Sequence, residues 1–432
     1  MKVIHFNTHS TAGGAAKVAY QLHLSLLKEG LDSIFLVKYK TKVSDLCIEI
    51  APVKVKGSLI STLKKIFQKS LFGLVYRKLF LNVRNELENV STTFNSNTDY
   101  FTIASIKEHL LGADIICLHW IDDFLSTKMV HAIQRNTDAP IVWTLMDVEP
   151  LTGGCHYTEG CDGFKKSCGN CPQLKSEKEN DFSRGLWNKK KLDLQKLDIT
   201  FVAGSSWIKD RIKESSLFSH KPIEKILVGV DKTIFKKGDK AIARTVLDLP
   251  REKKIIFFGA QSLNDKRKGM EFLAKALANL SKMTNHNKKS DILLMVAGFG
   301  INEWNNDFEF KNMGFIYDER ILALCYQSSD VFACPSIDDA GPMMINQAIM
   351  CGTPVVAFNS GVAPDLITSE ERGYLVKMYD SEDFCTGLHK ILFNAKGLNE
   401  GKWIQPDECK PEVQAKKYHM LFKTILDSHE KR

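Results

Sequence analysis

Residues 335–357 decide the fold of the C-terminal half of this chain, and they read PSIDDAGPMMINQAIMCGTPVVA. The pattern predicts a strand that ends at Cys334, an acidic pair, a helix opened by a Gly-Pro step, and a new strand from Pro354. This order is typical of a strand–helix–strand crossover in a parallel sheet. The N–H groups at the start of the helix, from Met343 onward, can hold an anionic diphosphate, and the acidic side chains can accept hydrogen bonds from sugar hydroxyls.

Short apolar runs alternate with helical patterns along the whole chain. They lie at 3–6, 33–37, 115–118, 141–145 and 201–203, and again at 255–258, 292–297, 331–334 and 354–358. The alternation predicts two doubly wound, Rossmann-like α/β domains, at residues 1–230 and 231–405, followed by a helix at 406–432. Ligands of such sheets bind at the carboxyl ends of the strands, so we expect the two domains to face a cleft.

The composition excludes several classes of protein. A chain of 432 residues with 44% apolar and 25% charged residues is not collagen-like, disordered or a small disulfide framework. Its 59 Lys and Arg against 51 Asp and Glu give a charge of +8, which permits an anionic partner. The opening MKVIHFNTHS lacks the apolar core of a secretion signal, so we expect a cytoplasmic protein with reduced cysteines.

The stretch at 335–357 resembles the E-x7-E region of retaining family 4 glycosyltransferases, which have the GT-B fold. The Pro-Ser step at 335–336, Ala348 and the run CGTPVVA at 351–357 match that region directly. Asp339 stands at the position of the first Glu and Gln347 at that of the second, with the eight-residue step preserved. An ordinary crossover that holds no ligand is the alternative interpretation.

The resemblance implies transfer from an NDP-sugar, and it assigns roles to residues of this region. In the family the first acid lies beside the donor sugar, where Asp339 offers a carboxylate one methylene shorter. The second acid contacts the ribose, and Gln347 keeps the hydrogen-bonding capacity there without the charge. Gly341, Met343 and Met344 would hold the donor diphosphate at the start of the helix.

Three further loops fit the same resemblance. Lys268, which precedes a glycine, matches the family lysine that binds the donor diphosphate, and Arg267 would compensate for a family arginine that is Ser262 here. A solvated basic loop is the alternative for this pair. Asp365 takes the place of a family Glu, with a helix-capping turn as its structural alternative. Gly14 lies in a glycine loop after the first strand, where the backbone can approach a phosphate closely.

The N-terminal half carries the candidate acceptor side. His119 follows the apolar run at 115–118 in the position where the family has a histidine facing the cleft, and a buried structural histidine is the alternative. Asp147 matches the acid of a Thr-x-His-Asp motif, but Met146 stands where related enzymes have the histidine. Together with Gln347, this departure leaves open a protein that binds nucleotide sugars without catalysis.

Four cysteines lie close together at 153–174, spaced C-x5-C-x6-C-x2-C: Cys155, Cys161, Cys168 and Cys171. Such a density of thiols in a reducing compartment indicates a four-coordinate structural Zn2+ site, with free or paired thiols as the alternative. The segment resembles an insert found in a branch of polysaccharide glycosyltransferases. Family 4 chemistry itself implies no metal and no other cofactor.

Basic and apolar residues alternate at roughly helical spacing over 53–88. Such a segment can lie on an anionic membrane surface, or it can pack on its own sheet with a solvated lysine face. No helix-turn-helix or RNA-binding pattern appears, so we expect no nucleic-acid partner. The resemblance as a whole implies a retaining, hexosyl-type glycosyltransferase that uses a saccharide or lipid-linked acceptor in the biosynthesis of cell-surface polysaccharide or lipopolysaccharide.

Overall fold

The computed structural model describes residues 1–43, 45–52, 100–284, 289–300, 307–341, 343–393 and 405–431. The segment at 53–88, predicted to face a membrane, lies outside the described residues. The chain divides into two compact units. The N-terminal unit comprises Met1–Val202, Lys209–Glu224 and Leu421–Arg432, and the C-terminal unit comprises Ala203–Ile208 and Lys225–Met420. The predicted domain limits at residues 230 and 405 stay predictions.

A seven-stranded sheet forms the centre of the N-terminal unit, in the order β3-β2-β1-β4-β5-β6-β7. Its strands are β1 (Lys2–His9), β2 (Asp32–Tyr39), β3 (Ile48–Glu49), β4 (Ile115–Leu118), β5 (Ile141–Leu145), β6 (Ile199–Ala203) and β7 (Ile223–Lys225). The accompanying helices are α1 (Gly14–Lys28), α2 (Ile103–Leu110), α3 (Thr127–Thr137), α4 (Phe182–Leu194) and α5 (Ser206–Glu214). Strand β1 pairs in parallel with both β2 and β4.

A six-stranded sheet forms the centre of the C-terminal unit, in the order β10-β9-β8-β11-β12-β13. Its strands are β8 (Lys254–Ser262), β9 (Ile292–Phe299), β10 (Glu309–Asn312), β11 (Val331–Cys334), β12 (Val355–Phe358) and β13 (Gly373–Val376), and every neighbouring pair is parallel. The helices are α6 (Lys240–Val246), α7 (Met270–Met283), α8 (Glu319–Ser328), α9 (Met343–Met350), α10 (Ala363–Leu366), α11 (Ser381–Phe393) and α12 (Pro411–His429), the last being divided between the units.

Alternation along the central strands explains why helices cover both faces of the second sheet. In β8, Ile255 and Phe257 belong to one apolar cluster, which also takes residues from α8 and α9. Ile256 and Phe258 belong to the opposite cluster, with residues from α7 and α11. All four side chains are 2% exposed or less, and burying each contributes about 1.5–3 kcal/mol.

In each sheet, one pair of neighbouring strands marks the point from which the chain connections run in opposite directions. These are β1 and β4 in the N-terminal unit and β8 and β11 in the C-terminal unit, because strand order runs outward in opposite directions from each pair. In open parallel sheets this is where ligands bind, beyond the carboxyl ends of the strands. The predicted pair of doubly wound, Rossmann-like α/β sheets is confirmed. None of the helices that the structure describes combines the length and apolar character needed to cross a bilayer.

Candidate active site

The loops after β8 and β11 meet through an ion pair in the C-terminal unit. The Lys268 Nζ atom donates to Asp339 Oδ2 at 2.5 Å, and the other carboxylate oxygen accepts the Gly341 N–H at 3.1 Å. The two charged side chains are 23% and 13% exposed, respectively. The structure therefore brings the predicted diphosphate-binding lysine and the predicted sugar-binding acid together at the divergence point of the sheet.

Close backbone contact fixes the position of this loop. Gly269, directly after the lysine, has a φ of +69°, and a Cβ built on it would lie 1.8 Å from the Pro335 carbonyl oxygen. The Ile337 N–H donates to the Arg267 carbonyl at 2.9 Å. Only glycine allows this approach between the two loops, so the residue after Lys268 is dictated by packing.

Charges within the loop are arranged around the lysine. Burial alone lowers the pKa of Lys268, but the charge of Asp339 and its hydrogen bond outweigh burial and hold that pKa above its ordinary value. The Arg267 guanidinium contacts Asp265 Oδ2 at 2.6 Å, and Asp265 Oδ1 also accepts the Arg267 N–H. Arg267 thus belongs to the same loop as Lys268 but is held by a local carboxylate.

Helix α9 begins beside the ion pair. Gly341 and the side chains of Met343 and Met344 are half-buried at its start, and the Met344 Cε atom lies so close to Gly259 that a Cβ there would meet it at 2.7 Å. Gln347, one turn further on, is 4% exposed, and its Oε1 accepts the Tyr326 hydroxyl at 3.2 Å. The predicted ribose-contacting amide therefore has its oxygen engaged by a buried tyrosine.

Asp365 is fully engaged by protein donors. One carboxylate oxygen accepts the Ser206 N–H at 2.7 Å, and the other accepts the Ser206 hydroxyl and the Lys225 ammonium, each at 2.6 Å. Its side chain is 4% exposed. These contacts support a role in fastening the 203–208 segment, while the predicted contact of Asp365 with a donor stays a prediction.

The divergence point of the N-terminal sheet carries the glycine loop. Gly14 is exposed and starts α1, directly after Gly13 with a φ of +86°. Nearby, the side chain of Asn7 at the end of β1 accepts the Trp120 N–H, which follows β4, at 2.9 Å. The end of β1 and the loop after β4 are thereby fastened together at the edge where the sequence predicts a ligand.

His119 lies in the core rather than at this edge. It is 2% exposed, its ring stacks on that of His5, and its Nε2 lies 2.9 Å from His5 Nδ1. Burial, and secondarily the charge of His23, lowers the pKa of His119 to about 3, so its ring is neutral. These contacts support the structural alternative for His119, while its predicted catalytic role stays a prediction.

Asp147 instead belongs to a buried charged cluster that the sequence did not predict. Its Oδ2 accepts the Trp120 indole N–H at 2.9 Å and lies 2.7 Å from His156 Nδ1. The second ring nitrogen of His156 lies 3.1 Å from Asp122 Oδ2. Burial alone would lower the pKa of His156, but the two carboxylates raise it to about 10, so an imidazolium bridges them.

A second buried ion pair adjoins this cluster. The Lys190 ammonium contacts Glu149 Oε1 at 2.6 Å and the Thr152 carbonyl at 3.0 Å, with side chains 5% and 7% exposed for the two charged residues. The Glu149 N–H in turn donates to Asp147 Oδ1 at 2.9 Å. The pair therefore connects Asp147 to the start of the cysteine-containing segment.

Four cysteines of this segment line one small cavity of about 20 Å³. They are Cys155, Cys161, Cys168 and Cys171, and all four carry free thiols. Burial is the main cause that raises the pKa of the Cys155, Cys168 and Cys171 thiols. Within the described part of the chain, no three His, Cys, Asp or Glu side chains stand in an arrangement that could already hold a metal ion. The predicted zinc site stays a prediction.

Sequence reasoning missed Asp122, Trp120 and His156. The signal was present in the run HWID at 119–122, where polar residues directly follow β4, and in the histidine after Cys155. Trp120 follows His119, Asp122 lies three residues after it, and His156 follows Cys155, but their pairing depends on how the loops return to the sheet edge.

Comparisons with known proteins show which sequences and structures this chain is similar to. The family model for glycosyl transferases group 1 matches residues 252–394, which include Lys268, Asp339 and Gln347. The chain is 25% identical over 379 residues to the putative colanic acid biosynthesis glycosyl transferase WcaC of Escherichia coli K12, with 85% of each chain covered.

Solved structures with the same architecture cover nearly the whole chain. Sucrose-phosphate synthase of Thermosynechococcus elongatus aligns with a TM-score of 0.60 and 16% identity, over 99% of both chains. The Anabaena protein HepE, solved in complex with UDP and glucose, aligns with a TM-score of 0.60 and 13% identity, over 98% of this chain and 100% of its own. The chain has the GT-B fold, and the group 1 match and the WcaC homologue support a glycosyltransferase.

Proposed function

We propose that this protein is an NDP-sugar-dependent, retaining glycosyltransferase of family 4 that acts in the biosynthesis of cell-surface polysaccharide or lipopolysaccharide. The observation that carries the proposal is the ion pair between Lys268 and Asp339, which joins the loops after β8 and β11. The group 1 match over 252–394 supports the assignment of the C-terminal unit as the one that binds the sugar donor. HepE, of similar fold, was solved with UDP and glucose, which supports a hexosyl nucleotide as the donor class.

The donor would replace part of the present ion pair. The diphosphate would take the Lys268 ammonium, as a phosphate accepts charge-assisted hydrogen bonds from lysine, and the N–H groups at the start of α9 would face it. Asp339 would turn toward a hydroxyl of the sugar, and Gln347 would offer its amide to the ribose. In this assignment Arg267 adds positive charge near the diphosphate.

Transfer requires little chemistry from the protein beyond positioning and charge stabilisation. The bond between the anomeric carbon and the diphosphate oxygen breaks, a bond to the acceptor hydroxyl oxygen forms on the same face, and the proton of that hydroxyl passes to the leaving diphosphate. Negative charge develops on the leaving NDP, where Lys268 would stabilise it. No resident metal or other cofactor is part of this proposal for catalysis.

The acceptor is assigned to the N-terminal unit, with Gly14 and Asp147 as its candidate contacts. WcaC is named for colanic acid biosynthesis, which supports a saccharide acceptor, and a lipid-linked form of it is our preferred class. A cytoplasmic location, with the basic segment 53–88 at the inner face of the membrane, belongs to the same proposal.

The proposal is tested by assaying NDP release from a panel of NDP-sugars, with and without extracted lipid-linked saccharides. Lys268→Ala is expected to lower kcat/KM about 100-fold, because the ammonium group that would stabilise the negative charge developing on the leaving diphosphate is lost. Lys266→Ala is the matched control, since this exposed lysine lies in the same turn and is expected to leave turnover unchanged. Equal activity of Lys268→Ala and wild type would overturn the assigned role.

A non-catalytic nucleotide-sugar-binding protein is the second candidate. Met146 stands at the position of a family histidine, and Gln347, in place of an acid, engages the buried Tyr326. This candidate predicts that calorimetry detects a bound NDP-sugar while no acceptor or hydrolysis assay yields NDP. Turnover by the wild type would exclude it.

A further inference from the structure

The cysteine-containing segment of the N-terminal unit is a group of thiols that the proposed reaction does not use. Its four cysteines, Cys155, Cys161, Cys168 and Cys171, come from separate points of the segment yet line the same cavity. The cavity volume of about 20 Å³ corresponds to roughly one water-sized atom. Four thiols supplied by neighbouring residues are the kind of donor set that tetrahedral, closed metal sites use.

The backbone at this cavity is fixed by residues outside the cysteines. Asp181, which caps the start of α4, accepts the Cys171 N–H at 2.8 Å, and Ser183 accepts the Gly169 N–H at 3.0 Å. A Cβ on Gly169 would lie 2.1 Å from the Glu179 carbonyl oxygen. The turn between the last two cysteines is therefore held in shape by α4 and the residues before it.

Backbone N–H groups point at the sulfur atoms. The Gly153 N–H donates to Cys168 Sγ at 3.1 Å, and the Gly163 N–H donates to Cys161 Sγ at 3.4 Å. A Cβ built on Gly163 would lie 3.4 Å from Cys161 Sγ and 3.9 Å from Cys168 Sγ, so both sulfurs face the same glycine. Such donors stabilise thiolates and orient them, as partners of metal ligands do.

We propose that Cys155, Cys161, Cys168 and Cys171 bind one structural Zn2+. His156, the neighbouring candidate, is excluded from the ligand set because both of its ring nitrogens contact carboxylates. No metal-ready arrangement of three ligands exists yet among the described residues, so uptake requires the cysteine side chains to turn into the cavity. Each cysteine turns about a single bond, and that rotation costs little beside the free energy of structural zinc binding.

The chemistry of the ligands selects the metal. Four thiolates suit Zn2+ or iron, and they leave no position for water or substrate, so the site is structural. Bound zinc would cross-link the segment that delivers His156 to Asp147. Loss of the metal would loosen that contact, whether or not the chain proves to be a glycosyltransferase.

The metal content of the full chain tests the proposal. Protein produced with zinc and iron both supplied, and purified with reductant and without a metal-binding tag, is expected to contain about one zinc per chain by mass spectrometry. Cys161→Ser and Cys168→Ser are expected to lower zinc occupancy about tenfold after dialysis against a chelator. Cys47→Ser, a half-buried cysteine outside the segment, is the matched control and keeps its zinc.

Thiol counting separates the alternatives. Under denaturing conditions with a chelator, all eleven cysteines are expected to react when the protein has carried zinc. Four unreactive thiols, eleven reactive thiols in a wild type that never contained metal, or stoichiometric iron in place of zinc would each overturn the proposal. Should the serine variants fail to fold, cobalt substitution of the wild type decides: a visible thiolate–cobalt band supports the site, and its absence rejects it.

Discussion

Lys268 and Asp339 in the C-terminal unit make one ion pair between two loops, whereas His156 in the N-terminal unit lies between two carboxylates. The first pair keeps 23% and 13% of its side chains exposed. In the second, His156, Asp122 and Asp147 keep 6–8% of their side chains exposed. Both groups lie beyond the carboxyl ends of strands, and the first keeps a larger fraction of its side chains in solvent.

The difference indicates what each group can do. The Lys268–Asp339 pair keeps more contact with solvent, so a charge left by exchange of its partner would be better compensated by water there than in the N-terminal cluster. A buried group that loses a partner leaves a charge without compensation in a medium of low dielectric. The N-terminal cluster therefore holds its loops in place, whereas the proposed donor site requires the C-terminal pair to change partners.

The largest effect is expected from Asp147→Asn. The substitution preserves the shape of the side chain but removes the charge opposite His156, and we expect the free energy of unfolding to fall by about 3 kcal/mol. Asp339→Asn, the equivalent change in the C-terminal unit, is expected to lower it by less than about 1 kcal/mol. Urea unfolding of both variants measures the difference, and an inverted ranking would break the comparison.

Asp123→Asn serves as the control for the N-terminal variant. Asp123 lies next to the cluster, contacts the Lys38 ammonium at 2.6 Å, and is 57% exposed. Asp123→Asn is expected to lower the free energy of unfolding as little as Asp339→Asn does. A large loss of stability in Asp123→Asn would point to a general sensitivity of this loop to substitution.

The next effect concerns how the C-terminal pair is positioned. Gly269→Ala places a methyl group against the Pro335 carbonyl and forces a residue with a φ of +69°, so we expect a loss of about 3 kcal/mol together with weaker donor binding. Gly314→Ala is the matched control, because its φ is +62° and no atom lies within 4 Å of the new Cβ. That variant is expected to lose only about 1 kcal/mol.

The two variants are compared by urea unfolding and by thermal shift with an NDP-sugar. Equal losses of stability would show that backbone conformation alone matters at Gly269. The close approach between the loops after β8 and β11 would then not be what holds Lys268 in position.

The same two groups also show how much of the site could be predicted from the sequence. The resemblance to the family singled out Lys268 and Asp339. Their proximity follows from the sheet, because they lie in the loops after β8 and β11 and the doubly wound order makes those two strands neighbours. Period-two alternation then decides which side chain faces which way at a strand end. The end of β4 shows this: the buried His119 stacks on His5, and the next side chain, the Trp120 indole, contacts Asp147.

The partner of Asp147 could not be predicted for a different reason. His156 reaches it only because the segment before Cys161 returns to the edge of the sheet, and that path depends on contacts such as Lys190 with Glu149. Spacing along the chain carries no information about such a return. The four cysteines were predictable as a group, since their proximity in sequence keeps them together in space.

The last expected effect is a pH dependence of the free energy of unfolding. It separates the N-terminal histidines into two kinds, neutral and protonated in the folded state. Burial lowers the pKa of His23 to about 4 and of His119 to about 3, and it lowers that of His5 well below its ordinary value. In the unfolded chain these rings take up protons below about pH 6.5. Stability is therefore expected to fall as pH falls from 6.5 toward 4, by about 1.4 kcal/mol per pH unit for each histidine.

His156 carries its proton in the folded state, so well below pH 6.5, where the unfolded chain is protonated as well, it adds little to the slope. His119→Phe keeps a ring against His5 and removes one proton-binding group, so the slope of unfolding free energy between pH 6 and pH 5 is expected to decrease by about one histidine's share. Urea unfolding at pH 7, 6 and 5 measures both slopes. A slope that is the same in wild type and His119→Phe would mean that His119 is protonated in the fold, and the separation between a neutral core histidine and a charged one at the sheet edge would be lost.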